Sequence, residues 1–162
     1  LHASLDSVAP REGAILPLIP KTPPPLAVDA IYDRWLFHGP LFQGITAIDG
    51  FTEQGVSGRL RASRPEACLR GGRPQDAWLI DPVLLDSAMQ LAGVWARHHA
   101  GITVLPMGCQ RLLRLGTPKR TECLGRVRII PAEDRSELRV LDAETLADVA
   151  IVALPGTRSG PA

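Results

Sequence analysis

From position 81 to about 98, apolar residues fall on every side of a helical wheel, and two polar residues, Asp86 and Gln90, interrupt them one turn apart. A helix that is apolar all round is a buried helix. A carboxylate on such a helix is costly to desolvate, so it must be paired, protonated or put to chemical use. The boundaries are marked as well. Asp81 is a good N-cap, and Pro82 sits at the favoured first helical position. The helix is expected to stop near Ala100-Gly101. His98 and His99 then fall in its last turn, where positive charge suits the helix dipole.

Elsewhere the rhythm is different. Residues 56–63 alternate cleanly, with Val56, Gly58, Leu60 and Ala62 on one face and Ser57, Arg59, Arg61 and Ser63 on the other, the pattern of a half-buried antiparallel strand. A strand is expected over 41–51, with turns at Asp49-Gly50 and Gln54-Gly55. Residues 123–130 alternate again, Val127 and Ile129 inward, Arg126 and Arg128 outward. Segments 138–141 and 149–154 form a predicted hairpin about 142–148, and 102–105 and 110–115 are shorter strand candidates. A first helix is expected over 26–35, ending before Phe37-His38-Gly39-Pro40, and 64–75 reads as a polar loop.

Prolines at 10, 17, 20, 23, 24 and 25 make residues 1–25 an extended arm, 26–155 the folded domain and 156–162 a C-terminal linker. The fold class is α+β: one long buried helix with five to seven antiparallel strands. A sheet wrapped around that helix, the hotdog fold, is the simplest solution.

Composition narrows the function classes. A hydrophobic fraction of 45% is enough for a core, and a net charge of +1 gives no global field for a nucleic acid or an anionic membrane. Cys68, Cys109 and Cys123 are an odd count with no short spacing, which favours a reducing, cytoplasmic setting over a disulfide framework or a zinc site. No apolar run approaches the roughly 20 residues of a membrane span. The start has no signal-peptide pattern, and its lack of an initiator Met is what a segment of a longer chain would show.

The polar residues of the long helix keep two readings open. Asp86 is either an acid in the favourable field of the helix N-terminus with Gln90 a solvated neighbour, or a functional carboxyl with Gln90 fixing its rotamer. On spacing alone the first is the better reading. For His98 and His99, adjacent helix positions pointing in different directions argue for a solvated helix end rather than a metal site. Trp35, Trp78 and Trp95 read as core or rim packing. The basic run Arg111, Arg114, Lys119 and Arg120 reads as a solvated face, with an acidic carrier protein a conceivable partner.

Three stretches then become specific. Phe37-His38-Gly39-Pro40-Leu41-Phe42-Gln43-Gly44-Ile45 resembles the Y-G-P-x-F-Q-G stretch of dehydratase domains from polyketide synthases and polyunsaturated fatty acid synthases. Residues 81–90 resemble their D-x-x-x-Q motif, and Val104-Leu105-Pro106-Met107 is similar to the L-P-x segment that follows it. The resemblance covers about 26–154. It implies a double hotdog whose first half carries the catalytic base in H-x-x-x-G-x-x-x-x-P and whose second half carries the acid.

None of the four histidines, His2, His38, His98 and His99, is followed by Gly four residues later, so the resemblance is to the second hotdog. It makes Asp86 the general acid and Gln90 its orienting partner. His38, Gly39, Pro40, Phe42, Leu105 and Pro106 become the candidate substrate wall. His38 stands where the family usually has Tyr, as a hydrogen-bond donor or as a loop imidazole packed on Pro40. Asp81 stands where it often has His, and capping explains it sufficiently. The implied reaction removes water from a 3-hydroxyacyl thioester on the phosphopantetheine of an acyl carrier protein, with no metal or nucleotide. The expected partners are the His-bearing hotdog, the carrier protein and, in a dimer, a second copy. Alone, the chain is expected to be inactive. The alternatives are a non-catalytic scaffolding or dimerisation hotdog of a megasynthase and, more weakly, a standalone hotdog thioesterase or hydratase.

Overall fold

A computed structural model describes residues 20–106, 111–116, 121–130, 135–142 and 148–155. Most of the proline-rich arm, residues 143–147 of the expected hairpin turn, the C-terminal linker, Cys109, Lys119 and Arg120 lie outside these residues.

Helix α1 (Val28–Arg34) comes first and buries Ile31 and Tyr32. A short 3-10 turn, Pro40–Phe42, follows. Strands β1 (Ile45–Thr52) and β2 (Gly55–Arg61) form a hairpin, and a four-residue helix α2 (Pro65–Cys68) interrupts the loop after it. Helix α3 (Pro82–Ala100) is the long element. Strands β3 (Arg111–Arg114), β4 (Glu122–Ile130), β5 (Arg135–Asp142) and β6 (Asp148–Pro155) complete the described chain. The six strands make one sheet in the order β1-β2-β4-β5-β6-β3, and every neighbouring pair is antiparallel.

α3 lies across β1, β2, β4 and β5. Its buried face supplies Leu84, Ala88, Leu91 and Val94, which meet Ile45, Ile48, Phe51, Val56, Leu60, Cys123 and Val127 of the sheet. At 25 cal/mol per Å², each such aliphatic side chain contributes roughly 1.5–3 kcal/mol. The central contact is a notch. Gly58 and Gly125 face each other across β2 and β4. A Cβ on Gly58 would stand 3.3 Å from Leu91 Cδ2, and one on Gly125 would stand 2.8 Å from Leu91 Cδ1. Only bare backbone there lets the helix settle this deeply, with Leu91 seated between the two glycines. Among the described residues no helix is long and apolar enough to cross a membrane.

The helix ends as its sequence dictates. Asp81 caps α3 by accepting from the Val83 and Leu84 amides, and also accepts from the Ser63 amide and hydroxyl, so one carboxylate ties the end of β2 to the start of the helix. Gly101 closes α3 in the left-handed region at φ 70°.

Several expectations need correction. The strand expected from 41 starts only at Ile45, because Pro40 fixes a 3-10 turn closed by the Phe42 amide on the Gly39 carbonyl. Asp49-Gly50 is no turn: it lies inside β1 at a register shift, and the chain reverses at residues 53–54 instead. Residues 102–105 form no strand; they lie between the left-handed Gly101 and Pro106, which cannot donate to a ladder. Arg126, expected on the solvated side of β4, is buried at 9% exposure. It stands mid-strand opposite Ser57 and Arg139, whereas Arg128, opposite Gly55 near the hairpin end, is exposed.

Candidate active site

The polar residues of α3 converge with the loop after α1. Gln90 is 4% exposed and spends both ends of its amide. Its Nε2 donates to Asp86 Oδ2 at 2.6 Å and to the Phe42 carbonyl at 2.8 Å, while its Oε1 accepts from the Tyr32 hydroxyl at 2.8 Å. The Tyr32 oxygen in turn accepts the Ile45 amide at 2.8 Å. Because that amide occupies the phenol oxygen, the phenol proton is directed at Gln90, and the amide orientation follows from the network. The result is one line of hydrogen bonds from the start of β1 through α1 to the carboxyl of Asp86.

Burial pushes the Tyr32 hydroxyl up to about 12, and the nearby Asp86 charge adds to this against the Ile45 and Gly44 amides and Arg61. Tyr32 is therefore a neutral donor at any ordinary pH. No other tyrosine occurs in the chain. Sequence reasoning passed over it, although a lone Tyr on an apolar helix face is a residue that needs a buried partner.

His38 adds a second contact on the same carboxyl oxygen, with Nε2 3.3 Å from Asp86 Oδ2 and side-chain exposures of 15% and 28%. Its ring stacks on Phe37 with centroids 4.4 Å apart, and its Nδ1 is buried without a partner among the described residues. Gln43 donates to the His38 carbonyl at 2.9 Å and so fixes the loop. Asp86 Oδ1 makes no hydrogen bond among the described residues.

Both groups open into a cavity of about 260 Å³. Of the residues expected at the substrate wall, His38, Phe42, Leu105 and Pro106 line it together with Asp86 and Gln90. Gly39 and Pro40 do not: both are exposed, and they shape the turn that carries Phe42. Trp35, Met89, Gly93 and Arg97 complete the α-helical lining and were not foreseen. Behind α3, Gly44 makes the closest approach. A Cβ there would fall 2.1 Å from Ser87 Oγ, a buried hydroxyl that has no partner among the described residues.

The two histidines at the end of α3 do not diverge as adjacent helix residues were expected to. Their rings lie 4.8 Å apart and both pack on Phe51, His99 stacked at 5.5 Å and His98 edge-on at 5.1 Å. Among the described residues no group of three or more His, Cys, Asp or Glu could hold a metal. Trp95 and Trp78 act as rim residues with satisfied indoles, bonded to the Thr52 carbonyl and the Ser63 hydroxyl.

One long helix laid on a six-stranded antiparallel sheet, with a polar cluster midway along it, defines a hotdog domain. The chain belongs to the polyketide synthase dehydratase family: residues 14–149 match the family model described as "Polyketide synthase dehydratase N-terminal domain". It is 33% identical over 91 residues to one chain of the polyunsaturated fatty acid synthase of Thraustochytrium sp., a match that takes in 56% of this chain and 3% of that much longer protein. The dehydratase domain from the CurK module of curacin polyketide synthase shares the fold, with a TM-score of 0.62 at 18% identity over 80% of this chain and 46% of that one. Two inactive mutants of the CurK dehydratase, one Asp to Asn and one His to Phe, superpose with TM-scores of 0.57 and 0.60 at 18% and 17% identity, each over 81% of this chain and over 46% and 45% of theirs. The chain thus spans about half the length of these solved dehydratases.

Proposed function

We propose that this chain is the acid-bearing second hotdog of a double-hotdog dehydratase in a multidomain synthase. The observation that carries the reading is the carboxyl of Asp86, held by Gln90 Nε2 through one oxygen and opening into an apolar-walled cavity. The family model is named for the N-terminal domain. The assignment to the second half rests instead on Asp86 and Gln90, and on the lack of H-x-x-x-G-x-x-x-x-P in the 162 residues.

The substrate is a 3-hydroxyacyl thioester on the phosphopantetheine arm of an acyl carrier protein. A base removes the proton α to the thioester carbonyl, and the electron pair left behind forms the double bond as the C3–O bond breaks. Protonated Asp86 gives its proton to the departing hydroxyl, so water and a 2-enoyl thioester leave. The base is the histidine of the preceding hotdog. In support, the inactive CurK mutants carry a change at either an Asp or a His of that protein.

The test is dehydration of a 3-hydroxyacyl-carrier substrate by the complete region containing both hotdogs. Asp86→Asn is expected to lower kcat by about a hundredfold or more, the usual scale of a lost proton donor. Undiminished turnover would overturn the assignment. The isolated chain is expected to be inactive, and efficient dehydration by it alone would sink the half-site reading.

One observation favours a second reading. His38 and Asp86 within 3.3 Å form an ion pair whenever the imidazole is protonated, and an ionised Asp86 donates no proton. A scaffolding hotdog that uses this pair structurally would tolerate Asp86→Asn in the synthase without loss of product.

A further inference from the structure

Gly93 is a glycine that packing does not explain. It lies inside α3, where glycine costs stability relative to alanine because it adds backbone freedom to the unfolded chain. The other glycines against α3 are accounted for: at Gly44, Gly58 and Gly125 a Cβ would run into a neighbour. At Gly93 a Cβ would meet nothing within 4 Å.

That empty space belongs to the cavity. Asp86, Met89, Gly93 and Arg97 follow one another at three- and four-residue steps, so they share one face of α3, and all four line it. Gly93 stands seven residues past Asp86, about 10 Å along the helix axis. The missing side chain leaves a trough over the helix there, walled on the other side by Val104, Leu105 and Pro106. At its far end the Arg97 guanidinium is tied back to the Gly101 carbonyl at 3.2 Å and the Thr103 hydroxyl at 3.5 Å.

We propose that Gly93 is a specificity-determining residue: it keeps the trough open for the hydrocarbon tail of the acyl group, which runs from Asp86 along α3 toward Arg97. The inference rests on Asp86 being the acid that meets the 3-hydroxyl. The tail, rather than the amide-rich pantetheine arm, is assigned to the trough because Met89, Val104, Leu105 and Pro106 offer it apolar surface and few hydrogen-bonding groups. The site then accepts extended linear acyl chains, and the side chain at position 93 sets how far they reach.

The experiment uses the complete dehydratase region with both hotdogs, carrying Gly93→Ala or Gly93→Leu. The probes are 3-hydroxybutyryl and 3-hydroxydodecanoyl carrier-protein thioesters, which share the arm and differ only in the tail. Gly93→Leu is expected to lower kcat/KM for the dodecanoyl substrate about tenfold or more and to leave the butyryl substrate within about twofold, the range that added methylenes in an apolar pocket command. Gly93→Ala is expected to melt higher than the parent, because it restores helix propensity without a clash. Equal losses on both substrates would place the arm or the domain contact in the trough and overturn the proposal, as would no loss on either or a parent that takes only the butyryl substrate. Asp86→Asn in the same assay separates the two ideas. If it retains turnover, the acid reading fails. If it is inactive while Gly93→Leu treats both tails alike, only the trough fails.

Discussion

His38 Nε2 and Gln90 Nε2 approach the same oxygen of Asp86, at 3.3 and 2.6 Å, although they reach it from a loop and a helix 52 residues apart by their numbers. The Gln90 amide donating to Oδ2 leaves the carboxyl proton to Oδ1, the side that makes no hydrogen bond among the described residues. Removing the imidazole beside the carboxyl with His38→Phe is expected to lower kcat by about tenfold, with KM little changed. His38→Tyr, which puts a hydroxyl in its place, is expected to recover most of the loss. Steady-state kinetics on the two-hotdog region decide it: a rise in KM with kcat intact would make His38 a contact for the substrate and not for Asp86.

Tyr32 links the carboxyl network to the sheet, so Tyr32→Phe strands the Ile45 amide and Gln90 Oε1 together. An expected cost of about 2–4 kcal/mol follows from two buried groups left unpaired. The alkaline behaviour has a definite sign. With the folded hydroxyl raised from 10.0 to about 12, the unfolded chain loses its phenol proton first as pH rises. Stability is full below pH 10 and falls between about 10 and 12, by roughly 2–3 kcal/mol. Denaturant melts across that window are expected to show this fall in the parent and a shallower one in Tyr32→Phe.

Much of this arrangement is legible in the sequence, for local reasons. Asp81-Pro82 and Gly101 mark α3 because capping and a left-handed stop are written in neighbouring residues. Val56, Gly58 and Leu60 alternate because β2 has one face on the helix. What escapes is set by distant chain. Nothing near His38 announces Asp86, 48 positions on, and Tyr32 finds Gln90 only through packing across 58 positions. Residues 102–105 look like a strand by composition, yet they pair with no strand and Thr103, Val104 and Leu105 line the cavity instead. His98 and His99 look divergent on a wheel, but Phe51 of β1 gives both rings a surface to share.

Asp81 acts at both ends of a gap that contact between helix and sheet alone would not close. Asp81→Ala removes its bonds to Val83, Leu84 and Ser63, and is expected to cost about 2–3 kcal/mol, a cap plus the tether. Asp81→Asn keeps acceptor oxygen and is expected to lose less than half of that. Thermal unfolding of the two variants would test it, and equal losses would argue that the charge, not the cap, matters.

Gly44 and Ser87 are coupled by a shortage of room. Gly44→Ala drives a methyl into Ser87 Oγ and is expected to destabilise by about 1–3 kcal/mol. Ser87→Ala deletes a buried hydroxyl without a partner, so it is expected to be neutral or stabilising. In the double variant the Gly44→Ala penalty is expected to shrink by about 1 kcal/mol, a coupling that a double-mutant cycle measures directly. Strict additivity would show that the loop moves instead of pressing on the helix.

The seat of Leu91 between Gly58 and Gly125 works as a dowel. A helix resting on a smooth apolar sheet could slide or roll by a fraction of a turn at little cost, carrying every side chain with it. A single branched side chain sunk between two bare backbones removes both freedoms at one point. Asp86 stands five residues away, about 7.5 Å along the axis. Its aim therefore depends on an apolar peg that never touches the cavity. A methyl group on Gly125 would stand 2.8 Å from Leu91 Cδ1 and press the peg out of its seat, and the carboxyl would lose its bearing while every polar residue around it stayed the same.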